Sequence, residues 1–142
     1  MECVTRELLG IVAPPIGCVV IVDDDPFCRA ALEQAFWRLN VRTVSFEDGA
    51  EAWRNMREMP DVFLAVVNWM LPGLDGHRIC RWLAQHRPAT TTVLMVGRHF
   101  LPEAWATMGF RPHRFLPKPF LAGRIDREVR RMMALASRRA LA

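Results

Sequence analysis

The sequence predicts an α/β domain built on an open, doubly wound parallel sheet, and three observations predict it. Short apolar runs recur at Cys18–Val22 and Val62–Val67, and Thr91–Val96 reads as a further buried strand. Segments with helical spacing of apolar residues separate them. The resulting order is five strand–helix units in succession. Strands buried on both faces read as continuous apolar runs, and their alternation with helices is the pattern of a parallel sheet covered on both sides.

The elements follow in order. Residues 1–17 read as an extension, with a helical turn or two over Thr5–Val12 stopped by Pro14-Pro15. Cys18–Val22 is the first strand. Asp25-Pro26 then supplies an N-cap and a first-turn proline, opening a helix to about Leu39 with Ala31, Leu32, Ala35, Phe36 and Leu39 inward. Val41–Phe46 is the second strand, and Asp48-Gly49 opens a helix to about Met59. Val62–Val67 is the third strand. Pro72-Gly73 and Asp75-Gly76 mark a loop before a helix over 76–86. Thr91–Val96 is the fourth strand, Pro102–Met108 a short helix, and Arg114–Leu116 a short fifth strand. A last helix begins near Phe120 and continues towards Arg138. The domain is expected over 18–136, with 137–142 a basic tail or helix end.

Composition bounds the function. A chain of 142 residues suits one domain with a real core. At 51% hydrophobic and 24% charged residues it is neither disordered nor fibrous. Leu8–Val22 is interrupted by prolines and glycines, and Val62–Val67 falls far short of the roughly 20 apolar residues that span a bilayer. The N-terminus lacks a basic-then-apolar signal pattern. The expectation is a cytoplasmic protein without a membrane segment. Cys3, Cys18, Cys28 and Cys80 form no CxxC pair, so reduced thiols are expected rather than a zinc or redox centre. Net charge is +4, carried by eighteen arginines and a single lysine, Lys118.

In a doubly wound sheet, ligands sit outside the carboxyl ends of the strands. Those ends carry Asp23-Asp24-Asp25, Asn68, Gly97-Arg98 and Leu116-Pro117-Lys118-Pro119. Here the chain resembles a family. Val19-Val-Ile-Val-Asp-Asp-Asp-Pro26, Val66-Val-Asn-Trp-Met-Leu-Pro-Gly-Leu-Asp-Gly76 and Phe115-Leu-Pro-Lys-Pro-Phe120 are similar to the three motifs of response-regulator receiver domains, and Glu47-Asp-Gly-Ala-Glu-Ala52 is similar to the start of their second helix. The likeness covers about 17–135 in the expected order. It implies the flavodoxin-like strand order 2-1-3-4-5. It implies that Asp23 and Asp24, with the backbone carbonyl of Met70, occupy the positions that hold magnesium. It also implies that Lys118 pairs with a phosphoryl group, that Phe115 is the switch aromatic, and that the Lys118-Pro119 bond is cis.

Three positions depart from the pattern. The resemblance implies a phosphate-accepting aspartate where this chain has Asn68, a serine or threonine where it has Gly97, and a small residue where it has Arg98. An acyl phosphate needs a carboxylate nucleophile, and an amide is a poor one. Magnesium prefers hard, charged oxygens, so the metal site is expected to be weak or absent, with no cofactor. Arg98 either points to solvent or folds over the pocket to form a metal-free network with Lys118 and the acidic cluster.

The reading is therefore an atypical receiver that signals through phosphorylation-independent protein contacts. The partner is a histidine kinase, another regulator, or a second copy meeting it through the face of the fourth helix, fifth strand and fifth helix. On that face Phe100, Leu101, Trp105 and Phe115 would contribute. A second reading takes Asn68 as an introduced substitution in a conventional phosphoacceptor of a His–Asp relay. A third assigns the arginines at 124, 127, 130, 131, 138 and 139 to nucleic acid or an acidic partner. His77, His86, His99 and His113 are scattered, and no nucleophilic triad or phosphate-binding loop is present, so no independent enzymatic activity is expected.

Overall fold

The computed structural model describes residues 17–97, 103, 109–120 and 122–141. Its elements are β1 (Cys18–Val22), α1 (Pro26–Arg38), β2 (Thr43–Phe46), α2 (Gly49–Met56), β3 (Val62–Asn68), α3 (Gly76–His86), β4 (Thr91–Val96), β5 (Arg114–Pro117) and α4 (Ala122–Leu141). The strands form one parallel sheet of order β2-β1-β3-β4-β5, as expected. The expected helical turn in the N-terminal extension lies outside the described residues, as does nearly all of the expected helix over 102–108.

Alternation of side chains along the central strands creates two cores. Val19, Ile21, Leu64, Val66, Val93 and Met95 face α1 and α4, meeting Leu32, Phe36, Val129, Met132 and Met133. Val20, Val22, Ala65, Val67, Leu94 and Val96 face the other way, onto Ala52 and Met56 of α2 and Ile79 and Leu83 of α3. Both faces of the sheet are thus sealed, which is why its strands read as unbroken apolar runs.

Local chemistry sets the element ends. Asp25 caps α1 by accepting the Phe27 N–H at 2.9 Å, and Asp48 caps α2 by accepting the Glu51 N–H at 2.9 Å. α1 ends in a left-handed Asn40, φ 58°, with the Asn40 N–H donating to Trp37 O and the Val41 N–H to Phe36 O. That is a Schellman closure. It holds Val41 in the helix exit, so β2 starts at Thr43 rather than at Val41 as the sequence suggested. α2 ends at Met56, before the expected Met59.

The last helix, expected to continue towards Arg138, runs three residues further. α4 continues to Leu141, Ser137 is buried, and Arg139 donates to Thr91 Oγ1 at 2.7 Å and Pro88 O at 2.8 Å. Residues 137–141 are therefore part of the packed domain, because the last turn docks on the approach to β4.

At the entry to β5, His113 Nδ1 accepts the Thr92 N–H at 3.0 Å. Burial, then the charge of Arg139, lowers the His113 pKa below its ordinary 6.5. The unfolded chain therefore takes up this proton first, so the stability contribution is present above about pH 6.5 and is lost as pH falls through the lower folded value. Urea midpoints should fall between pH 7.5 and 5, and His113→Gln should flatten that slope. An unchanged slope in the variant would refute the assignment.

Candidate functional site

Reversal of strand order around β1 and β3 opens a crevice at their carboxyl ends. Asp23, at the exit of β1, is fully buried, and its N–H donates to Phe46 O. Asp24 and Asp25 follow it at the surface. Asn68 ends β3, Gly97 follows β4, and Lys118 follows β5, with the Lys118 N–H donating to Val96 O at 2.8 Å. The peptide bond between Lys118 and Pro119 is cis, as the resemblance implied. Gly76 lets the β3–α3 connection close tightly: a Cβ there would lie 2.0 Å from the Asn68 carbonyl oxygen.

The polar groups of this crevice satisfy one another. Lys118 Nζ donates to Asp23 Oδ2 at 2.9 Å, and the Asp25 N–H donates to Asp23 Oδ1 at 3.0 Å. Both carboxylate oxygens of Asp23 are thereby engaged. The Asn68 amide nitrogen donates to the Met70 carbonyl at 3.0 Å and makes a longer, 3.4 Å contact with Asp24 Oδ1. Turning that amide over would set its oxygen against two other oxygens, so the hydrogen-bond network selects the orientation.

Burial pulls the Lys118 pKa down, but the Asp23 hydrogen bond and charge outweigh it and leave it above the ordinary 10.5. Burial, reinforced by Asp23, pushes the nearby Cys28 thiol up to about 12, and burial alone does the same to Cys80. Both are inert thiols at neutral pH, and Cys18 is likewise free and buried.

The resemblance implies magnesium, and the donor set does not fit it. Asp23 already holds a lysine, and the carbonyl of Met70 faces an N–H donor where a cation would have to sit. Among the described residues, no group of three or more His, Cys, Asp or Glu is arranged to hold a metal.

Most of the positions singled out in the sequence converge here: Lys118 pairs with Asp23, and beside that pair Asn68 links the Met70 carbonyl to Asp24. Arg98 lies outside the described residues, as do His99, Phe100, Leu101 and Trp105. At Gly97, a Cβ would meet nothing within 4 Å among the described residues, so packing does not dictate the missing hydroxyl. Phe115 is half-buried against the core on the α2–α3 side.

Part of the basic C-terminal stripe is committed inside the fold: Arg124 and Arg131 to Glu128, and Arg139 to Thr91 and Pro88. Glu128, buried at 1% exposure, receives Arg114 at 2.5 Å, Arg131 at 3.2 Å and Arg124 at 3.7 Å. The sequence reading missed this carboxylate. Its place among Ile125, Val129 and Met132, on the apolar stripe of the helix, was the available signal. No helix among the described residues is long and apolar enough to cross a membrane.

Comparison with known proteins agrees with this architecture. The response regulator receiver domain model matches residues 19–130. The DNA-binding transcriptional regulator NtrC of Escherichia coli K12 is 31% identical over 105 residues, covering 73% of this chain and 22% of that protein. The response regulator MprA of Mycobacterium ulcerans is 30% identical over 122 residues, covering 84% of this chain and 50% of that protein. The chain thus spans between about a fifth and a half of the length of these curated relatives. Among solved structures, a receiver domain protein from Clostridium thermocellum superposes with a TM-score of 0.75 at 16% identity, over 89% of this chain and 98% of that one. A protein from Neptuniibacter caesariensis superposes at 0.76 and 20% identity, over 90% and 95%. These two show the fold. The matched family model, the sheet order and the strand-end motifs together place the chain in the response regulator receiver domain family of two-component signalling.

Proposed function

We propose that this receiver domain signals without phosphoryl transfer and without magnesium, as a protein-binding module whose partner is a histidine kinase or another regulator. The observation that carries the reading is the Asn68 amide. Its nitrogen spans the Met70 carbonyl and the Asp24 carboxylate, the groups a cation would otherwise draw together. A neutral –NH₂ donor there supplies polarity of the right sign without an ion. The amide nitrogen lone pair is delocalised, so this side chain offers no carboxylate nucleophile. With Asp23 held by Lys118, the buried carboxylate of the crevice is already compensated by a side chain of the protein.

The test is a magnesium and phosphodonor titration of the wild-type chain. The Trp69 indole resonance, next to Asn68, should not move at sub-millimolar magnesium. Intact-mass spectra after acetyl phosphate should show no phosphoryl adduct. A saturable indole shift, or an adduct of one phosphoryl group, would refute the reading.

A further inference from the structure

A groove of about 370 Å³ runs between the approach to β5 and the outer face of α4, lined by His113, Arg114, Arg131, Ala134, Leu135 and Arg138. We propose that it docks an acidic, amphipathic segment of a partner protein. The proposal rests on the reading of this chain as a binding module and adds the partner's chemistry.

The helix contributes Arg131, Ala134, Leu135 and Arg138, an i, i+3, i+4, i+7 set that forms one stripe. Leu141 extends the stripe by a further turn and is 72% exposed. Cations therefore flank an apolar strip, with Leu135 between Arg131 and Arg138. Those two arginines stand about 10 Å apart along the axis at about 1.5 Å per residue. An amphipathic helix with carboxylates seven residues apart about a central leucine matches this spacing, which is the helix-in-groove mode of recognition.

Charge selects among occupants. Three of the six lining residues are arginines and none is a carboxylate. The nearest acid, Glu128, is buried and already shared by Arg114, Arg124 and Arg131. Arg138 has no carboxylate partner among the described residues. A second copy docked about a two-fold axis through this groove would set arginine against arginine, because such an interface is self-complementary. The apolar strip of Ala134 and Leu135 offers nothing to a phosphate backbone, whereas it suits the apolar face of a helix.

The groove also stands away from the Asn68 crevice. His113 precedes β5, and the neighbouring Arg139 reaches Thr91, the first residue of β4. Both mark the amino edge of the parallel sheet, opposite the carboxyl ends. A partner seated here need not read the state of the crevice.

The test uses the whole chain and a fluorescein-labelled helical peptide of roughly fifteen residues, with glutamates at i and i+7 about a leucine. Anisotropy should report saturable binding that weakens at least tenfold in Arg138→Glu and weakens with added salt. A peptide with lysines for the glutamates should not bind. Leu135→Asp should also weaken binding. Arg138 is exposed, so its variant keeps the test valid if Leu135→Asp does not fold. Equal binding of the lysine peptide, or indifference to Arg138→Glu, would overturn the groove assignment. So would Arg138-dependent binding of duplex DNA in place of the peptide, or Arg138-dependent self-association in sedimentation. Peptide binding that appears only after phosphodonor treatment would uphold the groove and overturn the phosphorylation-independent reading. No peptide binding, with a crevice silent to magnesium and phosphodonor, would overturn the groove alone.

Discussion

Lys118→Met is expected to lower the unfolding free energy by about 3–5 kcal/mol, the usual cost of breaking a buried ion pair from one side. Asp23 is fully buried, and Lys118 is its charge partner at 2.9 Å. Methionine keeps most of the stem's packing and deletes the ammonium, so the Asp23 carboxylate keeps the Asp25 N–H and loses its compensating charge. A loss of this size would consume much of the roughly 5–15 kcal/mol that holds a typical domain together. The asymmetry of the pair makes the prediction specific. Lys118 is 21% exposed and Asp23 is not exposed at all, so Asp23→Asn should cost less, because the orphaned lysine can turn towards water. The double variant Lys118→Met/Asp23→Leu should recover part of the loss, since an apolar pair avoids the desolvation that a charge requires.

The pair also has an alkaline signature. Its lysine pKa lies above the ordinary 10.5. The stabilisation is therefore complete at neutral pH, persists below 10.5, and is lost as pH rises through the folded value. Urea unfolding at pH 7 and above pH 10 reads both effects. A Lys118→Met loss under about 1 kcal/mol would mean that Asp23 finds its compensation elsewhere.

Asn68→Asp should destabilise the chain by about 1–3 kcal/mol in chelator, and millimolar magnesium should restore it. The substitution removes the two donated contacts to Met70 and Asp24, each worth about 0.5–1.5 kcal/mol when satisfied. It also sets a new carboxylate beside Asp24. That repulsion is small because Asp24 is exposed and screened by solvent. The polarity of the site then reverses: oxygens of the introduced carboxylate, of Asp24 and of the Met70 carbonyl converge with no donor between them. This arrangement favours a hard dication, and whatever binds only the folded state stabilises it. Thermal melts of wild type and variant, with chelator and with magnesium, separate the cases. Equal stabilisation of both proteins by magnesium would show that the amide was not what excluded the ion. A variant as stable as wild type in chelator would show that the amide contacts contribute nothing.

The sequence alone determined the parts of this molecule that local chemistry controls. The buried strands of 18–22, 62–67 and 91–96, the Asp25-Pro26 and Asp48-Gly49 helix starts, and the strand-end placement of Asp23, Asn68 and Lys118 follow from periodicity, capping and a fold rule. Each of these acts over a few residues or through the order of elements. The second strand was read from Val41, two residues early, because the left-handed Asn40 that closes the helix shows only in the structure.

Only the tertiary structure decided the pairings. Lys118 and Asp23 are 95 residues apart in the chain, and nothing local says which acid the single lysine takes. The direction of the Asn68 amide depends on a loop carbonyl and on a side chain from the loop after β1. Glu128 reads as an ordinary helix carboxylate until β5 brings Arg114 across to it, and the last turn of α4 reads equally as a tail or a helix end until Thr91 and Pro88 receive Arg139. The physical reason is common to all four. Hydrophobic periodicity is written into neighbouring residues, whereas the partner of a buried polar group is chosen by whichever complementary atom the fold delivers within hydrogen-bonding distance.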